Sequence, residues 1–217
     1  MPPQNTNNHY TITLLRHGLS EGNANEIIQG QADYPLTDIG IAQAEALAQR
    51  WENERRQFDS IISSPQQRAL QTAEIIAARL KLQVEPDPLW MERHVGQLTG
   101  LTMEQAEKLH PRPPFLPLFQ PFAGTGESLF ALYLRAGQAV ESLLRRPPGK
   151  YLVVSHGGIL NRVLYIMLGI PPQPNFQGAR FRFRNTSFAN LRFDPERHEW
   201  LLERLNDREH WNGHDDW

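Results

Sequence analysis

The sequence contains no cysteine. That excludes a disulfide framework, a thiolate metal site and a cysteine nucleophile, and it fits a reducing compartment. Neither sign of charge is in real excess, since 22 Lys+Arg against 24 Asp+Glu leave a formal net charge of -2. No global field draws the chain to nucleic acid or to an anionic membrane, so any anion site has to be built locally. Long apolar runs are missing, and no stretch reads as a membrane span. Residues 1–8 are polar, without the basic end and apolar centre of a signal peptide. These absences lead us to expect a soluble cytoplasmic protein with a small-molecule partner and no nucleic-acid or membrane partner. A homodimer is compatible with them. What is present is ordinary: 217 residues at 40% hydrophobic content suit one domain, 1–217, better than two.

The chain is organised around residues 11–23. A β-branched and aliphatic run, Thr11 to Leu15, reads as a buried strand that stops at Arg16-His17-Gly18. In open α/β sheets ligands bind beyond the carboxyl ends of strands, so chemistry is expected here, with Gly18 letting backbone approach a bound group. Residues 29–37 read as a loop and 38–55 as an amphipathic helix capped by Thr37. Residues 58–63 read as a strand, then a helix opening at Ser64-Pro65 and running to Leu80, then a strand at 82–85. A further helix is expected at 102–110 and another from Ser128 to about Arg146. The clearest strand, Tyr151 to Ser155, runs into His156-Gly157-Gly158 and a helix over 159–168. Strands at 181–191 and 200–205 follow, then a frayed tail at 214–217. The alternation predicts a three-layer α/β/α fold with a mostly parallel central sheet. Residues 96–127, rich in Pro and Phe, read as a small cap subdomain over the sheet's edge.

Two strand-terminal histidines would face one crevice, joined by Arg16, Asn23, Arg68 and Glu92. Taken singly, each has a plainer reading: Arg68 as a solvated helix residue pairing with Glu74 or Glu45, Glu92 as a surface carboxylate, His156 as a core histidine. Metal binding by His17 and His156 is disfavoured, because two arginines would repel a cation and a third ligand at helical spacing is missing. In the order Arg16-His17-Gly18 with Ser20 and Asn23, Ser63-Ser64-Pro65 with Arg68, Glu92 with Gly96 and Gly100, Gly126-Glu127-Ser128, and Ser155-His156-Gly157-Gly158, the chain resembles the histidine phosphatase superfamily, also called the phosphoglycerate mutase-like family. The resemblance implies a phosphohistidine on His17, with Glu92 as general acid and then base. Arg16, Asn23, Arg68, His156 and Gly157 would hold the phosphate, with no cofactor and no metal. It also marks Gln29, Gly30 and Arg93 as candidate substrate-binding residues.

Within that family the resemblance supports a phosphomonoester hydrolase, with a cofactor-dependent phosphoglycerate mutase as the alternative. A non-catalytic member that binds phospholigands or acts as a scaffold comes second, set against the intact His17, Glu92 and His156. Glu92-Arg93-His94 favours the mutase. Val95, Met103 and the short insertion disfavour it, because only Arg112 stands between Arg93 and Arg135, so a second anion on the substrate is expected to be poorly held. Phe115, Phe119 and Phe122 suggest a bulky or partly apolar leaving group.

Overall fold

The computed structural model describes residues 8–111 and 113–213. The expected tail at 214–217, residues 1–7 and Arg112 lie outside them. The elements run β1 (Tyr10–Arg16), α1 (Glu21–Ala24), α2 (Asp38–Asn53), β2 (Ser60–Ser63), α3 (Gln67–Leu80), β3 (Val84–Pro86), α4 (Met103–Leu109), α5 (Leu129–Leu144), β4 (Lys150–Ser155), α6 (Gly157–Met167), β5 (Phe188–Asp194) and β6 (Glu199–Asp207), with three short 3-10 turns between them. One six-stranded sheet has the order β3-β2-β4-β1-β5-β6. The first four of these strands are parallel, while β5 and β6 add antiparallel pairs at one edge.

Alternation along the central strands separates two cores. Ile12 and Leu14 of β1, with Val153 of β4, pack with Leu132, Ala136, Val140, Leu160 and Leu164 of α5 and α6. Leu15, Ile61 and Val154 face the other side, against Leu47 and Trp51 of α2 and Ala69, Ala73 and Ile76 of α3. Small residues on α3 let it lie close to the sheet. Trp51 is fully buried, with Phe58 and Phe188 edge-on at 5.3 Å each, and truncating it to Ala would cost about 3–5 kcal/mol.

Several boundaries differ from the sequence reading for local reasons. Pro65 does not open α3. The amide of Ser64 continues the sheet by bonding to Val154, and Gln66, in extended conformation, precedes the first helical residue, Gln67. The third strand starts at Val84, because the amide of Leu82 still bonds to Ala77 at the end of α3. The strand expected over 181–191 begins only at Phe188. Thr186 there has φ 53°, and the Ser187 amide closes a turn on Arg184. The segment expected over the sheet's edge is tied to the loop after α1 and to the segment after α6: the Ile28 amide bonds to Leu101, and that of Asn175 to Leu116. Among the described residues no helix is long and apolar enough to cross a membrane.

Candidate active site

Register places the histidines side by side. Arg16 of β1 pairs with Ser155 of β4, and Ser63 of β2 with Val154, so the residues just beyond (His17, His156 and Ser64) emerge together from the middle of the sheet. The two rings lie 5.1 Å apart, both essentially without solvent exposure. Nδ1 of His17 is 2.7 Å from the Gly18 carbonyl. A carbonyl can only accept, so Nδ1 carries the proton and Nε2 keeps its lone pair. Nε2 of His156 lies 2.8 Å from Ser64 Oγ. Gly18 has a different reason from the one expected: a Cβ there would come within 2.5 Å of the Gly40 carbonyl oxygen, while its own amide donates to Thr72. Close packing of α2 on the β1 loop requires the glycine.

Arg68 points inward, not toward Glu74 or Glu45 on the surface. It is 1% exposed, and its terminal nitrogens donate to the carbonyls of Ala32 and Gly30 at 2.9 and 2.8 Å. Arg16 donates to the Phe183 carbonyl at 2.8 Å. Glu92 reaches the site from a loop, and its carboxylate replaces the missing side-chain cap of α6. Oε2 accepts from the amide of Gly158, and Oε1 from those of Ile159 and Arg93, at 2.8–3.0 Å. A Cβ on Gly158 would lie 2.4 Å from Glu92 Oε1, so only glycine admits the carboxylate there.

The electrostatics favour neutral imidazoles. Burial, reinforced by the Arg68 and Arg16 charges, holds His17 well below its ordinary value of 6.5. The same causes, with His17 itself, hold His156 down. Burial lowers Arg68 to about 10, with Glu92 opposing, so Arg68 stays charged at neutral pH. The Nε–H groups of Arg16 and Arg68 and Nδ1 of His156 are buried without a protein partner. The two guanidinium donors left unsatisfied at this depth cost about 1–3 kcal/mol each, and one tetrahedral oxyanion reaching Nε2 of His17 would offer acceptors for them. The geometry thus joins a neutral imidazole, guanidinium donors and a carboxylate at one point.

The model of the histidine phosphatase superfamily (branch 1) matches residues 12–208. The chain belongs to that superfamily. A relative named probable phosphoglycerate mutase GpmB from Yersinia pestis (strain Pestoides F) is 35% identical, over 92% of this chain and 94% of its own length. Among solved structures, a mycobacterial glucosyl-3-phosphoglycerate phosphatase with VO3 is similar at TM-score 0.75 and 27% identity, covering 91% of this chain and 98% of that one. An Entamoeba histolytica phosphoserine phosphatase in complex with 3-phosphoglyceric acid matches at TM-score 0.74 and 27% identity, covering 93% and 98%. The phosphatase and phosphoglycerate mutase-like branches of the superfamily are both represented.

Against this superfamily background the remaining candidates divide. Asn23 has its Oδ1 beside Ser20 Oγ at 3.0 Å and Asn185 Nδ2 at 3.4 Å, which turns its own amide donors outward. Gly157 opens α6 beside the Arg16 side chain. Gln29 and Gly30 act as struts: Gln29 Oε1 accepts from Ser20, and the Gly30 carbonyl accepts from both Arg68 and Gln66. Arg93 is buried, donates to the Glu127 carbonyl and lies 4.1 Å above the Phe122 ring. His94 meets Glu127 through its backbone amide.

The sequence reading missed the supports. Gln66 bridges the Gly30 carbonyl and the Glu92 amide. Arg135 pairs with Glu127 and donates to the carbonyls of Leu89, Met91 and Glu92, fixing the loop that carries Glu92. It also missed Arg162, Arg180 and Arg182, which line a cleft with Arg93. The expected shortage of cations beside Arg93 therefore does not hold, because α6 and the segment after it supply three.

Proposed function

We propose that this chain is a phosphomonoester hydrolase that needs no metal and works through a phosphohistidine. The observation that carries this is His17: a buried neutral ring whose Nδ1 proton is committed to the Gly18 carbonyl, leaving Nε2 as the attacking atom. Nε2 forms a bond to phosphorus as the ester P–O bond breaks, and Glu92 gives its proton to the departing oxygen. Water then attacks phosphorus, Glu92 takes its proton, and the N–P bond breaks to release phosphate. Arg16, Arg68, His156 and Asn23 hold the equatorial oxygens, a role a divalent ion fills in other phosphoryl-transfer sites.

Hydrolysis over isomerisation is supported by the outer wall of the cleft. Arg180 and Arg182 are exposed, giving water a route to the intermediate, whereas a mutase has to exclude it. The mutase reading keeps specific support from the 35% identical relative and from the arginines beside Arg93. Incubation with 3-phosphoglycerate and catalytic 2,3-bisphosphoglycerate separates the two. We expect net release of inorganic phosphate, and 2-phosphoglycerate accumulating faster than phosphate would overturn the hydrolase reading. Acid quench during turnover should trap label on His17.

A further inference from the structure

Beyond Glu92 the site continues into a cleft of about 470 Å3 along the first turns of α6, whose wall carries Arg93, Arg162, Arg180 and Arg182 and no Asp or Glu. The guanidinium of Arg162 lies 4.7 Å from the Tyr165 ring centre. The ion pairs among the described residues involve none of Arg162, Arg180 and Arg182. Their charges press on the groups behind them. Burial first, then the Arg162 charge, lowers Arg93 to about 10, and Arg182 adds to the burial that lowers Arg16. Like charges around one space destabilise the fold unless an anion enters between them.

The segment that carries two of these arginines is held in place. Asn161 takes both backbone groups of Phe181, donating to its carbonyl at 2.7 Å and accepting from its amide at 2.9 Å. Tyr165 donates to the Ala179 carbonyl, and Arg16 itself donates to that of Phe183. The arginine wall and the phosphate-holding Arg16 are thus built on one fixed strip of backbone. Gly158 joins the two regions, since it lines the cleft while its amide bonds to Glu92. In the reaction proposed above, on which this step rests, Glu92 protonates the leaving oxygen. The leaving group therefore extends past Glu92 into the cleft.

We infer that the cleft is a second anion subsite, and that the substrates are phosphomonoesters whose leaving group carries a further carboxylate or phosphate. The test compares kcat/KM within matched pairs: 3-phosphoglycerate against glycerol 3-phosphate for a carboxylate, and fructose 1,6-bisphosphate against fructose 6-phosphate for a phosphate. The wild-type protein should prefer the doubly anionic member of at least one pair by tenfold or more, and the preference should shrink with added salt. Arg162→Gln and Arg180→Gln should each reduce that preference ratio, by about tenfold for a lost charge-assisted contact, while Arg162→Lys retains part of it. Which pair responds tells carboxylate from phosphate. Absence of preference, or equal losses on both members of a pair, would overturn the subsite while leaving the hydrolase reading intact. If no ester is turned over, the hydrolase reading fails. The subsite is then judged by calorimetric binding of the same pairs, where equal affinities count against it.

Discussion

At the floor of the site Arg68 is 1% exposed and both its terminal nitrogens are tied to backbone carbonyls, whereas on the outer wall Arg180 and Arg182 are exposed and enter none of the ion pairs described. The same residue type is used in two ways. On the floor the backbone orients each guanidinium before any ligand arrives, so holding the phosphoryl group in the proposed reaction would need little reorganisation. On the wall Arg180 and Arg182 stand in solvent, with no ion pair among the described residues to hold their charges, which suits discrimination among leaving groups. If this contrast is right, substitutions on the floor change the chemistry for every substrate, and substitutions on the wall change which substrate is preferred.

The largest effect is expected at the proposed nucleophile. His17→Ala should lower kcat by at least about 10⁴-fold for all phosphate esters, with the far-UV circular dichroism of the folded protein retained. Appreciable turnover by that variant would mean that another group attacks phosphorus. Next comes the proposed acid. Glu92→Gln should slow alkyl phosphates by about 10²–10⁴-fold and aryl phosphates much less, because a phenolate leaves without a proton. Its amide NH2 would also face a backbone N–H that now donates to a carboxylate oxygen. Gly158→Ala separates the two effects, since it keeps the carboxyl but presses a methyl group against it. A displacement near 1 Å should cost about 10²-fold, with the same bias toward alkyl esters. Equal losses on both ester types would remove Glu92 from the role of acid.

Much of the floor could be read from the sequence, because strand ends announce themselves: a β-branched run halts at Arg16-His17-Gly18, and another at His156-Gly157-Gly158. The parallel pairing of β1 with β4, which brings these two breaks together, follows from the helical crossovers. Gln66 was not legible, because its part as a double-ended amide depends on where Gly30 and Glu92 arrive in space. Pro65 misled for a related reason: the sheet ladder runs one residue further than the strand pattern suggests, and it shifts the helix start to Gln67. The wall was invisible because Arg93 and Arg162 are far apart in sequence, share no motif, and meet only through the packing of α6.

Acidity probes the floor apart from catalysis. His17 and His156 have values in the fold well below 6.5, with burial as the largest cause, while in the unfolded chain each titrates near 6.5. Below that pH the unfolded state binds protons that the folded state refuses, so stability falls as pH drops, and above it the effect is flat. His210, which burial lowers to about 4, adds to them, and three such groups give a slope of about 4 kcal/mol per pH unit between roughly pH 5.5 and the folded values. Urea unfolding at pH 6.5, 5.5 and 5.0 measures it, and His156→Gln should reduce it by about a third. An unchanged slope would place the acid sensitivity at other groups.

The smallest effect is expected at the cap, where the sequence suggested an apolar contact with the leaving group. Phe115 and Phe119 are 54% and 69% exposed, and Phe119 faces Phe130 at 4.8 Å. Phe122 lies beneath the Arg93 guanidinium. A side chain already half in water contributes little to stability, so Phe115→Ser should change it by less than about 0.5 kcal/mol. Because the cleft beyond Glu92 is lined by arginines and not by these rings, kcat/KM for an aryl phosphate should stay within about twofold, the tolerance of a site that gains or loses no contact. A fall near tenfold on aryl but not on carboxylate-bearing esters would show the cap closing over the substrate. The contrast between floor and wall would then need a third, apolar surface to account for specificity.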